Sequence, residues 1–70
     1  MIELGVEAGD YIDIDELEEQ FKAKGYDADY ENLRSYSSGF IAEMTVKNGE
    51  EIVKILVEGS DFGHMILDIK

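Results

Sequence analysis

Residues 40–57 read FIAEMTVKNGEEIVKILV, two alternating apolar runs joined by Asn48-Gly49. Asn-Gly between such runs is the strongest short hairpin signal, because both residues accept the positive φ of a tight two-residue turn. A turn there pairs Lys47 with Glu50 and sets the register of both strands. On one face Met44 stands opposite Val53, Ala42 opposite Ile55 and Phe40 opposite Val57; on the other, Glu43 opposes Lys54 and Ile41 opposes Leu56. Like meets like, or charge meets opposite charge, in every row except Thr45/Ile52 and Val46/Glu51, which supports the register.

Working outward, Gly59-Ser60-Asp61-Phe62-Gly63 reads as a five-residue loop into a last strand. It sets Met65, Leu67 and Ile69 beside Val57, Ile55 and Val53, with Lys54 against Asp68, Leu56 against Ile66, and His64 opposite Glu58. In the other direction a Ser38-Gly39 turn pairs Leu33 with Met44, Arg34 with Glu43 and Tyr36 with Ile41. The outer face then carries the row Arg34–Glu43–Lys54–Asp68, alternating in sign.

Upstream the period changes to helical. Ile14, Leu17 and Phe21 share one helical face. Asp13 is placed as N-cap, with Glu16 completing a capping box and Ile12 and Leu17 a hydrophobic staple. Lys24 and Gly25 supply a cationic last turn and a left-handed stop, so the helix is expected over 14–24. Before it, Ile2, Leu4 and Val6 alternate with Glu3, Gly5 and Glu7, which predicts a short strand added to a sheet edge. The expected fold is one α+β domain spanning 1–70, order β-α-β-β-β-β. One helix covers the inner face (Leu33, Met44, Val53, Ile55, Val57, Leu67, Ile69) of a twisted antiparallel sheet.

The chain has 70 residues, no cysteine and no proline, so neither disulfides nor thiolate metal sites support a thin core. No apolar run approaches the ~20 residues of a membrane span, and the acidic start MIELGVEAGD lacks the basic opening of a signal peptide. The expectation is a soluble, cytoplasmic protein. Seventeen acids against six bases give −11, which disfavours DNA, RNA and anionic lipid and favours a basic partner. The charge is lopsided: residues 1–31 hold eleven acids and two bases (Lys22, Lys24), while residues 32–70 hold six acids and four bases.

Enzyme chemistry finds little purchase. The lone His64 reads as an exposed cross-strand partner of Glu58, the serines lack a G-x-S-x-G elbow, and Asp61-Phe62-Gly63 has no kinase motifs around it. DYIDIDELEE fails the EF-hand spacing from either Asp10 or Asp13. No catalytic residue, metal or cofactor is expected. The helix dipole accounts for Asp13, Asp15 and Glu16 without a partner, but not for Glu3, Glu7, Asp27, Asp29 or Glu31. In YDADYE, Asp27, Asp29 and Glu31 recur every second residue, ~6.6 Å apart in extended chain, a spacing similar in scale to successive phosphates.

The leading expectation is a non-enzymatic, nucleic-acid-mimicking inhibitor that fills the basic groove of a DNA- or RNA-binding protein. Its contacts would be Asp10, Asp13, Asp15, Glu16, Glu19, Asp27, Asp29 and Glu31, with Tyr26 and Tyr30 stacking or hydrogen bonding. In type, without any shared motif, this is similar to the small acidic virus-encoded inhibitors of restriction and CRISPR nucleases, which would place it in the host cytoplasm. The alternative is an assembly module dimerising through an outer apolar row of Tyr36, Ile41, Leu56 and Ile66, with Ile52 nearby.

Overall fold

The computed structural model describes residues 2–70. Its elements are α1 (Ile14–Ala23), β1 (Asp27–Tyr36), β2 (Gly39–Asn48), β3 (Glu51–Ser60) and β4 (Gly63–Ile69). The strands form one antiparallel sheet in the order β1-β2-β3-β4. The helix contributes Ile14, Leu17 and Phe21 to a core with Ala28, Ala42, Met44, Val46, Ile55, Val57 and Ile66. The class is α+β, as the hydrophobic periods require.

The order differs from the expected β-α-β-β-β-β: residues 2–6 form no strand, and the helix precedes all four. The alternation nonetheless reports burial. Ile2 is buried, and Leu4 and Val6 pack on the core. The backbone, however, is turned at Gly5 (φ 69°) and finds its partners in side chains: the Glu3 amide donates to the Tyr26 hydroxyl, and Lys24 Nζ donates to the Glu3 carbonyl. Contact with the sheet comes after Gly9. The Gly9 amide donates to the Ile66 carbonyl (2.7 Å), the Ile66 amide to the Asp10 carbonyl (2.9 Å), and the Ile12 amide to the His64 carbonyl (2.9 Å). Residues 9–12 therefore lie along the β4 edge, while Glu3 is held at the C-terminal end of the helix.

Asp13 caps α1 with φ −60° and ψ 134°, its carboxylate accepting from the Asp15 amide at 2.9 Å. The Ile14 amide is capped from across the fold, by Nδ1 of His64 at 2.8 Å. Lys24 closes the helix and Gly25 (φ 87°) turns the chain into β1.

Each hairpin departs from its expected register in an instructive way. The central turn is Gly49-Glu50, flanked by Asn48 and Glu51, with the left-handed φ on Gly49 (65°) and no non-glycine residue at positive φ. A glycine-first turn spares Asn48 the positive φ that an Asn-Gly turn would impose on it. Moving the turn by one residue moves each partner by two, which preserves the face. Met44 now faces Ile55, Ala42 faces Val57, and Phe40 faces Gly59, all still on the inner side.

The last hairpin shifts by one, and a shift of one exchanges faces. Asp61-Phe62 turns the chain between Ser60 and Gly63, and His64 sits opposite Gly59 instead of Glu58. His64 therefore points inward, its ring edge-on to Phe40 at 5.1 Å. Ile66, expected on the outer row, is fully buried in the core, and a register shift at Leu67 brings Ile69 back opposite Ile55. In the first hairpin Tyr36 pairs with Gly39, and Leu33, expected inward against Met44, is bulged out and 50% exposed. Ala28, Tyr30 and Asn32 fill the inner row instead, opposite Val46, Met44 and Ala42. The charge row Arg34–Glu43–Lys54–Asp68 does not form: Arg34 faces Ile41, and Glu43 lies between Glu31 and Leu56. Its surviving piece is a diagonal Lys54–Glu43 ion pair at 3.8 Å.

His64 thus joins β4 to the helix start. We expect His64→Ala to lower unfolding stability by about 1–3 kcal/mol, through the lost amide acceptor and ring packing. Chemical denaturation measures it; a change within about 0.3 kcal/mol would show that the cross-fold cap contributes nothing.

Candidate functional site at the β1 edge

β1 pairs only with β2, so it is an edge of the sheet. Over Asp27–Asn32 its register with β2 is regular. Ala28, Tyr30 and Asn32 face the helix layer, which sends Asp27, Asp29 and Glu31 to the outer face, all exposed. No ion pair among the described residues engages these three carboxylates. Opposite them on β2 stand Lys47, Thr45 and Glu43. Glu31 and Glu43 are therefore like charges in direct cross-strand register, an arrangement that costs stability.

The acids continue over the edge onto the helix. Asp15, Glu18 and Lys22 recur at helical spacing on the flank beside β1. Tyr30 joins the two layers, its hydroxyl donating to Asp15 Oδ1 at 2.6 Å. That bond, first, and then loss of solvent and the charges of Asp15, Glu18 and Asp13 raise the Tyr30 hydroxyl above the usual 10.0. Glu18 also pairs with Lys22 at 3.4 Å. A groove of about 900 Å³ follows β1 around this edge, with Lys22 and Tyr26 on the helix side and Glu43, Thr45 and Lys47 on the sheet side.

The structure thus gathers Asp15, Asp27, Asp29, Glu31 and Tyr30 from the expected contacts. It adds Glu18 and Glu43, each held by an ion pair, to Lys22 and to Lys54. Only the β1–β2 register exposes Glu43 as Glu31's neighbour. The other expected contacts disperse. Glu16 and Glu19 lie exposed on the helix. Asp13 is occupied as N-cap, 3.8 Å from His64 Nδ1. Asp10, on the opposite edge, accepts from the Glu7 amide at 2.8 Å. Tyr26 packs against Phe21 at 6.4 Å and holds the Glu3 amide, so its ring serves the fold. In the apolar row, Tyr36, Ile41 and Leu56 remain on the outer side, while Met65 takes the place expected for Ile66.

Among the described residues no group of three or more His, Cys, Asp or Glu side chains is placed to hold a metal ion, and no helix is long and apolar enough to cross a membrane. His64, the one imidazole, is committed to the Ile14 amide and Phe40. Comparison with protein-family models, with curated proteins and with solved structures found no match.

The Tyr30–Asp15 bond has a pH signature. Because the folded value is raised, the neutral hydroxyl stabilises the fold below the ordinary tyrosine range, and that contribution is lost as pH rises through the raised value. In an alkaline absorbance titration we expect a late component, the Tyr30 hydroxyl ionising above the ordinary tyrosine value. In Asp15→Ala the late component should vanish; its persistence would show that another group holds the proton.

Proposed function

We propose that this protein is a non-enzymatic acidic binding protein that imitates nucleic acid and inhibits a basic, nucleic-acid-binding partner. The observation that carries this reading is the row Asp27, Asp29, Glu31, exposed on one face of an edge strand without an ion-pair partner. Strand geometry spaces the carboxylates by ~6.6 Å and holds them rigidly, as a backbone holds phosphates. Asp15 and Glu18 widen the row into a ridge that wraps the edge. A protein surface that grips phosphates through Lys and Arg would meet comparable charge here, and binding would weaken steeply with salt. The net charge of −11 adds long-range attraction to such a surface and repels nucleic acid itself. The anti-restriction or anti-CRISPR inhibitors are the type of protein this describes, and the host cytoplasm is where such an inhibitor would act.

The test is capture of basic proteins from a heparin-retained lysate fraction, with duplex DNA as competitor. Wild type should capture a nucleic-acid-binding protein that both DNA and salt release. The Asp29→Lys/Glu31→Lys double variant should capture at least about ten-fold less while remaining folded, since both sites are exposed. A captured partner that DNA fails to displace, or that the variant retains, refutes the mimicry.

A second reading has its own support. No helix or strand among the described residues covers the outer sheet face, which carries Ile41, Leu56 and Met65 with Ile52 55% exposed; Leu67, expected on the inner face, falls at the register shift and has no cross-strand partner. Self-assembly through this face predicts a dimer by sedimentation at high concentration, and a monomer for Leu56→Asp. A monomeric wild type removes this reading.

A further inference from the structure

The sheet has two edges, and they are treated differently. The β4 edge is covered over residues 64–66 by the segment Gly9–Ile12, and its remainder carries the irregularity at Leu67 and ends at Lys70. Cover, bulges and lysines are the usual devices that stop an edge from pairing with foreign strands. The β1 edge has a bulge only at Leu33, which interrupts its second half. Asp27–Asn32 is regular, has neither proline nor lysine, and borders an open groove of about 900 Å³; the Tyr30 amide donates to the exposed Asp29 carboxylate at 2.9 Å, a bond an incoming strand would replace. Six residues of strand offer ~20 Å of backbone to a partner.

We infer that Asp27–Asn32 docks its partner by strand addition. The occupant is an extended segment with Lys or Arg at every second position, each basic side chain falling on the outer face beside Asp27, Asp29 and Glu31. This rests on the reading of the protein as a binder of basic partners, and it adds how the partner is held. Charge decides the occupant. A second copy paired through β1 would set these acids against themselves, between two chains of −11 each. A neutral strand would crowd the carboxylates without compensating them. A basic strand supplies counter-charge to Glu31, whose cross-strand neighbour Glu43 is already paired with Lys54. Its intervening residues would turn toward Lys22, Tyr26 and Tyr30 on the helix side, where β-branched residues favour the extended conformation.

Two labelled synthetic peptides of equal charge test this on the intact protein at low salt. One alternates Lys with Val and Thr. The other keeps every Lys and replaces the intervening residues with Pro, which removes amide donors and blocks strand pairing. The alternating peptide should bind at least about ten-fold more tightly by fluorescence anisotropy. It should slow amide exchange within residues 27–32, and lose its advantage on the Asp29→Lys/Glu31→Lys variant. Equal, salt-sensitive binding of both peptides overturns strand addition and leaves the charge reading standing. Binding of neither overturns both. Protection of residues 27–32 by dimerisation of the protein alone would show that the occupant is a second copy and overturn the inference.

Discussion

The domain depends on three helical side chains, Ile14, Leu17 and Phe21, keeping one face of the sheet dry. All three are buried, in a single cluster with the inner residues of all four strands. A chain of 70 residues buries only ~60% of its unfolded surface, so this layer has little redundancy. Each fully buried apolar side chain contributes roughly 1.5–3 kcal/mol relative to exposure, against self-repulsion among seventeen acids. The same constraint explains the flanking parts. Ile2, Leu4 and Val6 complete the layer beside the helix, and the Tyr26 hydroxyl and Lys24 ammonium anchor that segment by its backbone.

Because the interior is entirely apolar among the described residues, every charge is at the surface, and the faces differ in how that charge is balanced. On the helix, Asp13 and Asp15 have structural work: one caps the helix, the other holds Tyr30. At the outer face of β1, Asp27, Asp29 and Glu31 stabilise nothing in the chain by ion pairing. A protein under selection for stability alone has little reason to set Glu31 opposite Glu43. Local electrostatic cost of this kind is common where a surface is shaped for something outside the molecule.

An edge strand with acids on one face is also selective by construction. The carboxylates set like charges against any second copy paired along this edge, and Asp29 Oδ1 itself accepts from the Tyr30 amide at 2.9 Å. Charge on β1 thus guards an edge that lacks the cover β4 receives from residues 9–12.

The sequence alone determined which residues face inward in the two central strands, where the helix lies and roughly where the chain reverses between strands. Alternation and helical spacing are local properties, and a two-residue error in pairing leaves the face unchanged. Met44, Val53, Ile55 and Val57 were legible for that reason. Pairing itself was not. The tertiary structure chose Gly49-Glu50 over Asn48-Gly49 because glycine alone takes the positive φ there. It bulged Leu33 outward so that Tyr30 could reach Asp15, and it shifted the last hairpin by one residue, which buried Ile66 and turned His64 to the helix. Of the site, the carboxylate row of YDADYE was legible in the sequence. Its position at a bare edge, with Glu43 and Glu18 beside it, came only from folding, since those neighbours are set by cross-strand register and helix docking.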